Sequence, residues 1–298
     1  MFWPRSTAAR ASKACAAALL VMLLVACGGR AATPAPPATA TNAGGLPHFH
    51  HVFLVVMENL DFRGAMAEPT IAQMARTYAS ATNYDAVAHP SLPNYLALAS
   101  GSTWGVTSDC TACYQNQPNL ATQLAAAGTT WGAYMEGLSS ACDLEATAGE
   151  YAGKHDPFRY FTDVRSSKAL CGHIQPLTAL NLTQAPAFAW ISPNLCHDGH
   201  DCAPAQAGAW LDGFVAQVVA SPSWKDGGVL FVTWDEGTDN AGGGGQVLTL
   251  VIAPGLPAGE QVDAPYTHYS LLHTIEAGLG LPPLGQAAEA PTMAAFWH

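Results

Sequence analysis

Basic side chains are scarce in this chain of 298 residues: 11 Lys and Arg stand against 22 Asp and Glu, for a formal net charge of -11 at pH 7. Three of the 11, Arg5, Arg10 and Lys13, precede an N-terminal apolar run, so a processed chain is more acidic still. That balance argues against a nucleic-acid-binding surface, which neutralises phosphates with lysine and arginine. An anionic substrate would need another source of positive charge, and metal ions supply it. Also missing is an apolar run able to cross a bilayer, because Ala16 to Ala26 falls well short of the ~20 residues required. No internal repeat is visible, which excludes solenoid arrays. A second Cys-x-x-Cys with finger-like spacing is lacking, so a zinc site at Cys110 and Cys113 ranks well below a disulfide reading.

The apolar run behind Arg5, Arg10 and Lys13 ends at Cys27 before Gly28-Gly29, which marks residues 1–26 as a signal peptide. Leu24-Val25-Ala26-Cys27 looks like a bacterial lipobox, in which the Cys is acylated and becomes the mature N-terminus; ordinary cleavage near Ala32 is the alternative. The expectation is an exported cell-envelope lipoprotein, on the periplasmic or outer-surface side, held to the membrane at Cys27, with secretion as the other outcome. Residues 27–47 carry Ala, Thr, Pro, Gly and Asn without hydrophobic periodicity and are expected to form a disordered tether. Residues 48–298, ~250 residues of mixed sequence, suffice for one catalytic domain with a well-buried core. Cys110, Cys113, Cys142, Cys171, Cys196 and Cys202 make an even set that predicts up to three disulfides in an exported chain.

His51 to Met57 is continuously apolar and β-branched, as a central strand covered on both faces requires, and it ends at Glu58-Asn59. Gly228 to Trp234 repeats the pattern and stops at Asp235-Glu236. Val247 to Ile252 reads as a further strand. Helices are predicted from Pro69 through Ala79, from near Pro93 to Gly101, and from Tyr269 to Gly278. Alternating strands and helices predict a three-layer α/β/α sandwich with a mostly parallel central sheet, whose site lies outside the carboxyl ends of the strands.

Glu58-Asn59 and Asp235-Glu236 are oxygen-donor pairs that would repel one another without a cation, so divalent metal is their natural partner. Either pair alone could merely cap a following helix. His89-Pro90-Ser91-Leu92-Pro93-Asn94 places a hydroxyl on a Pro-restrained turn before a helix, where phosphate meets N-terminal amides. A metal-activated Ser91 there can attack phosphorus while Asn94 donates to a phosphoryl oxygen; the bland reading is a serine N-cap.

Ser91-Leu92-Pro93-Asn94, closed by Ser100-Gly101, resembles the nucleophile segment of nucleotide pyrophosphatase/phosphodiesterases. Together with Val55 to Asn59, Lys154-His155-Asp156-Pro157, Ser192-Pro193-Asn194, His197-Asp198-Gly199-His200-Asp201, Thr233 to Gly237 and Tyr266 to Leu272, it resembles the phosphoesterase family of bacterial and fungal acid phosphatases and phospholipases C, within the alkaline-phosphatase superfamily. The resemblance implies an alkaline-phosphatase-like fold and hydrolysis of small phosphate monoesters through a phosphoserine at Ser91. It implies divalent metal, of undetermined identity and number, at Glu58, Asn59, Ser91, Asp198, Asp235 and Glu236. His89, Asn94, His155, His200 and His268 then line the site as ligands, phosphate donors or the acid for the leaving group. His197 and Asp201 rank behind Asp198 and His200, and His173, His273 and His298 are expected to be surface or packing residues. Tyr95 stands where a sulfatase needs Arg, which argues against sulfate esters. Phospholipid-cleaving members tend to be longer, which leans toward soluble esters and leaves a phosphodiesterase or phospholipase C as the runner-up. A non-catalytic binding lipoprotein would have lost its nucleophile or ligands, and oligomeric state stays open.

Overall fold

The structure, a computed structural model, describes residues 45–145 and 149–297. The predicted signal peptide, the lipid-anchored Cys27, nearly all of the tether and His298 lie outside the described residues. Leu46, at the end of the predicted tether, is fully buried in the core.

Among the described residues ten strands form, β1 His51–Met57, β2 Ala79–Ala81, β3 Tyr84–Asp85, β4 Trp131–Met135, β5 Ile174–Pro176, β6 Phe188–Ser192, β7 Gly228–Trp234, β8 Thr249–Ile252, β9 Gln261–Val262 and β10 Tyr266–Thr267. Eight of them make one sheet in the order β5-β4-β6-β1-β7-β8-β2-β9, and β3 pairs separately with β10. The pairings are parallel except at β8, which runs antiparallel to both β7 and β2. The predicted strand from Val247 is therefore present, begins at Thr249, and is the reversed one.

Val52 through Met57 are all fully buried, so the side chains on both faces of β1 are covered. Covering helices pack in pairs, Pro69–Thr77 against Pro204–Ala220 and Ser91–Ser100 against His268–Gly278, which completes the three layers. Each large apolar side chain taken out of water in this core contributes roughly 1.5–3 kcal/mol. The helix Ser91–Ser100 is buried at every one of its ten residues, seven of them apolar or aromatic, with Ser91, Asn94 and Ser100 the polar exceptions. It stops at Gly101, whose φ of 73° is left-handed and where a Cβ would collide with the Leu284 carbonyl.

Among the described residues three disulfides join Cys110 to Cys113, Cys142 to Cys171 and Cys196 to Cys202. The first removes the zinc alternative for Cys110 and Cys113, since each sulfur is bonded to the other. Among the described residues no helix is long and apolar enough to cross a membrane.

Candidate active site

The pairing register assembles the acids. β1 and β7 lie side by side with Met57 opposite Trp234, so Glu58 and Asp235 emerge together at the carboxyl ends of adjacent central strands. The Asp235 amide donates to the Met57 carbonyl at 2.9 Å, and the Glu58 amide donates to the Asp198 carbonyl at 3.0 Å. Asn59 takes a left-handed φ of 50°, which turns the chain so that its amide donates to Asp235 Oδ1 at 3.2 Å. Backbone bonds thus hold the ends of β1 and β7 and the Asp198 loop together, and the Asn59 amide adds a bond to the Asp235 carboxylate.

Ser91 is the first residue of the buried helix and follows a cis His89-Pro90 bond. Its hydroxyl donates to Glu58 Oε2 at 3.0 Å and approaches Glu236 Oε1 at 3.4 Å. Lys154 Nζ lies 3.5 Å from Ser91 Oγ, 2.9 Å from Asp109 Oδ2 and 3.3 Å from His200 Nε2. Tyr95, one turn along the helix, donates its hydroxyl to Glu58 Oε1 at 2.7 Å. His89 Nδ1 is hydrogen-bonded to Glu236 Oε2, and its Nε2 meets the Asp239 carbonyl at 2.7 Å.

His155 enters on a short 3-10 turn, Gly153–His155, fixed by the Ser192 hydroxyl donating to the His155 carbonyl at 2.6 Å. Its ring stacks on Tyr95, with Nε2 3.0 Å from Glu58 Oε1 and Nδ1 3.0 Å from Asp198 Oδ2. Neither approach has hydrogen-bond geometry, so both ring nitrogens and Asp198 Oδ2 are buried without a partner, as is Asp235 Oδ2. Asp198 Oδ1 accepts the His200 amide at 2.8 Å.

The remaining sequence-predicted residues sit at one remove from Ser91. Asn94 is fully engaged with its own loop: Oδ1 accepts the Val87 and Ala88 amides at 3.0 Å each, and Nδ2 donates to the Ala88 carbonyl at 2.7 Å. His268 bridges Tyr84, 3.0 Å from Nδ1, and the Asp235 carbonyl, 2.6 Å from Nε2. His197 turns to Glu136 and stacks on Trp210; His173 and His273 each bond a backbone carbonyl. Asp109 was not singled out from the sequence, and Tyr95 was noted only as standing where a sulfatase needs Arg, not as a partner of Glu58. Tyr95 sits four residues after Ser91, which puts it on the same helix face, a signal that was available; Asp109 lies on a loop with no periodicity to place it.

Burial dominates the electrostatics. It raises Glu58 well above the ordinary carboxylate range, with Asp235 and Asp198 adding to the effect. It raises Asp235 well above that range too, Glu236 reinforcing it, and pushes Asp198 up to about 7 against the pull of the His200 amide. Glu236 is raised by burial although His89 opposes this. Burial drives His155 well below its usual value and His268 down to about 4, so both rings are neutral at physiological pH. At His89 burial works the other way from the Asp239 carbonyl and Glu236, which together prevail and raise it.

Among the described residues, no three His, Cys, Asp or Glu side chains already converge as a metal-ligand cluster. The donor chemistry nevertheless fits a hard divalent cation. Glu58, Asp198, Asp235 and Glu236 are buried carboxylates that destabilise one another's charge, and Asp198 and Asp235 each keep one oxygen without a partner.

Comparison with known proteins agrees with this reading of the fold. A model of the Phosphoesterase family matches residues 52–282. A curated relative, the phosphatidylinositol-3-phosphatase of Mycobacterium tuberculosis, is 33% identical over 271 residues, covering 88% of this chain and 87% of its own. A probable acid phosphatase of Kluyveromyces lactis is 28% identical over 253 residues, 80% of this chain, which spans only 60% of that relative's length. Among solved structures, a protein in the alkaline-phosphatase superfamily from Vibrio parahaemolyticus shares the fold with a TM-score of 0.53 at 12% identity, covering 78% of this chain and 67% of its own.

Proposed function

The chain belongs to the Phosphoesterase family and is a phosphoric ester hydrolase, and from that premise we propose that it hydrolyses phosphate monoesters through a phosphoserine at Ser91, with the help of divalent metal. The observation that carries the proposal is Ser91 itself, at a helix N-terminus with its hydroxyl proton directed at buried Glu58 and Lys154 within reach. Glu58, Asn59, Asp198, Asp235 and Glu236, with Ser91, would hold the metal, which supplies charge neutralisation and a lowered pKa for the attacking hydroxyl.

The protein's own groups account for the remaining steps. Ser91 Oγ attacks phosphorus as its proton passes to the carboxylates already facing it, and the P–O bond to the alcohol breaks. Lys154 offsets the added negative charge on the phosphoryl oxygens, and His200, whose Nε2 accepts from Lys154 at 3.3 Å and whose Nδ1 faces Asp201, is the candidate to pass a proton from Lys154 to the departing oxygen. Water then cleaves the phosphoserine in the reverse sense. Tyr95 orients Glu58, and His268 orients Asp235 through its carbonyl.

Two relatives carry phosphatase names, one of them for a phosphoinositide, which supports a monoester over a diester. The three disulfides support an oxidising, exported setting, with the lipid anchor at Cys27 as part of the same proposal. The test compares p-nitrophenyl phosphate with its bis ester, before and after chelation and metal restoration, on protein lacking residues 1–27. Chelator-sensitive preference for the monoester is expected, and Ser91→Ala should lower kcat on the order of 10³-fold or more with the fold intact. Near-native turnover by that variant would remove Ser91 from the reaction, and preference for the diester would transfer the site to phosphodiester chemistry.

A further inference from the structure

We propose that Asp109 is a specificity-determining residue whose carboxylate holds the place of a substrate's phosphoryl oxygens beside Ser91. The inference rests on the reading of Ser91 as nucleophile. Asp109 Oδ1 accepts the Leu92 amide at 3.0 Å, the N–H next along the chain from the nucleophile, and Oδ2 accepts Lys154 Nζ at 2.9 Å. These two donors, a helix N-terminal amide and an ammonium within 3.5 Å of Ser91 Oγ, are the ones a phosphoryl group undergoing attack would use.

One carboxylate bridging both is an internal anion at an anion site. It comes from the irregular stretch between the helix Ser91–Ser100 and the helix Leu120–Ala126, beside the Cys110–Cys113 disulfide. Its side chain is 30% exposed, so it can swing into solvent without leaving a buried charge behind.

Exchange of anions makes the residue selective. A phosphodiester carries one negative charge, as Asp109 does, and gains little electrostatically at Lys154 by replacing it. A phosphate monoester near neutral pH carries close to two and displaces the carboxylate with a net gain. Asp109 therefore weakens phosphate binding overall and weakens diesters most.

The direct test is calorimetric titration of inorganic phosphate into wild-type protein, Asp109→Asn and Asp109→Ala, in one metal-supplemented buffer near pH 7.5. Both variants should bind phosphate roughly three- to tenfold more tightly, the scale of one partly exposed charged contact. The ratio of monoester to diester kcat/KM should narrow in both. Unchanged or weaker phosphate binding would overturn the proposal and make Asp109 a residue that only positions Lys154. Because binding is read without turnover, this result is independent of whether Ser91→Ala abolishes activity, which judges the nucleophile separately. Two variants guard against loss of folding in either one.

Discussion

Divalent metal should stabilise this protein by an amount that grows as pH rises from about 5.5 to 8, and the growth can be worked from Asp198. Burial pushes that carboxyl up to about 7, so in the metal-free protein it is protonated at pH 5.5 and ionised at pH 8. A metal ligand must be ionised. At pH 5.5 removing the proton costs roughly 2 kcal/mol and at pH 8 almost nothing, so the stabilisation gained on loading rises by about 2 kcal/mol from Asp198 alone. Glu58 and Asp235, also raised, add with the same sign. In the chelated protein these raised carboxyls contribute stability that is complete below their ordinary values near 4 and is lost as pH rises through about 7 for Asp198. His268, depressed to about 4, acts oppositely: its contribution is complete above about 6.5 and is lost as pH falls toward 4. The loaded-minus-chelated difference cancels His268 to the extent that its surroundings are the same in both forms. For a domain of ~250 residues, 2 kcal/mol corresponds to about 4–8 °C in Tm. Thermal unfolding at half-unit pH intervals, with chelator and with added metal, reads this directly. A metal-dependent rise in Tm that stays flat or shrinks over that range would refute the reasoning, and Asp198→Asn should remove its share of the slope.

Tyr95→Phe deletes the hydroxyl that donates to Glu58 Oε1 at 2.7 Å. Loss of a charge-assisted bond worth about 1.5–3 kcal/mol should raise the metal concentration for half-maximal activity by about 10- to 100-fold, measured by metal titration of the chelated variant. Asn94→Ala removes the acceptor shared by the Val87 and Ala88 amides and should cost on the order of 2–4 kcal/mol in urea unfolding, with reduced kcat because the loop entering Ser91 loosens. Replacing Cys142 and Cys171 together by Ala opens a loop of sequence separation 29 and should cost about 3–4 kcal/mol, more than the Cys196–Cys202 pair with separation 6.

The central strands were legible because complete burial leaves a signature in composition: only a strand covered on both faces tolerates Val-Phe-Leu-Val-Val-Met without a polar break. Their carboxyl ends were legible for the same reason, since the first acid after such a run marks where the sheet meets the site. What did not show was orientation. The segment Thr249–Ile252 has the composition of its neighbours yet runs antiparallel, because direction is set by the connections around it. Side-chain partners were equally hidden. Asn94 lies in the motif next to Ser91, but its amide is committed to residues 87, 88 and 90, which sequence alone does not reveal. His268 is likewise placed in the motif, while its two nitrogens serve Tyr84 and a backbone carbonyl.

The scarcity of basic residues and the arrangement of the site bear on one another. Glu58, Asp198, Asp235 and Glu236 gather at the ends of the central strands, and Lys154, which reaches Ser91, is already paired with Asp109. In the metal-free state burial disfavours the charged form of each of the four acids, and all four are raised. A working site needs these groups ionised, because a protonated Glu58 would accept the Ser91 proton poorly. A cation bound among them would resolve both difficulties at once: it would keep Glu58 and Asp235 ionised, and it would supply the positive charge that 11 lysines and arginines in 298 residues do not bring to the phosphate. By this argument, substituting one acid by its amide relieves repulsion in the metal-free protein while weakening the loaded one, so Glu58→Gln should unfold at equal or higher temperature under chelator and lose activity with metal. A variant destabilised in both states would mean that Glu58 is held by its bonds to Ser91 and Tyr95 more strongly than it is opposed by its neighbours.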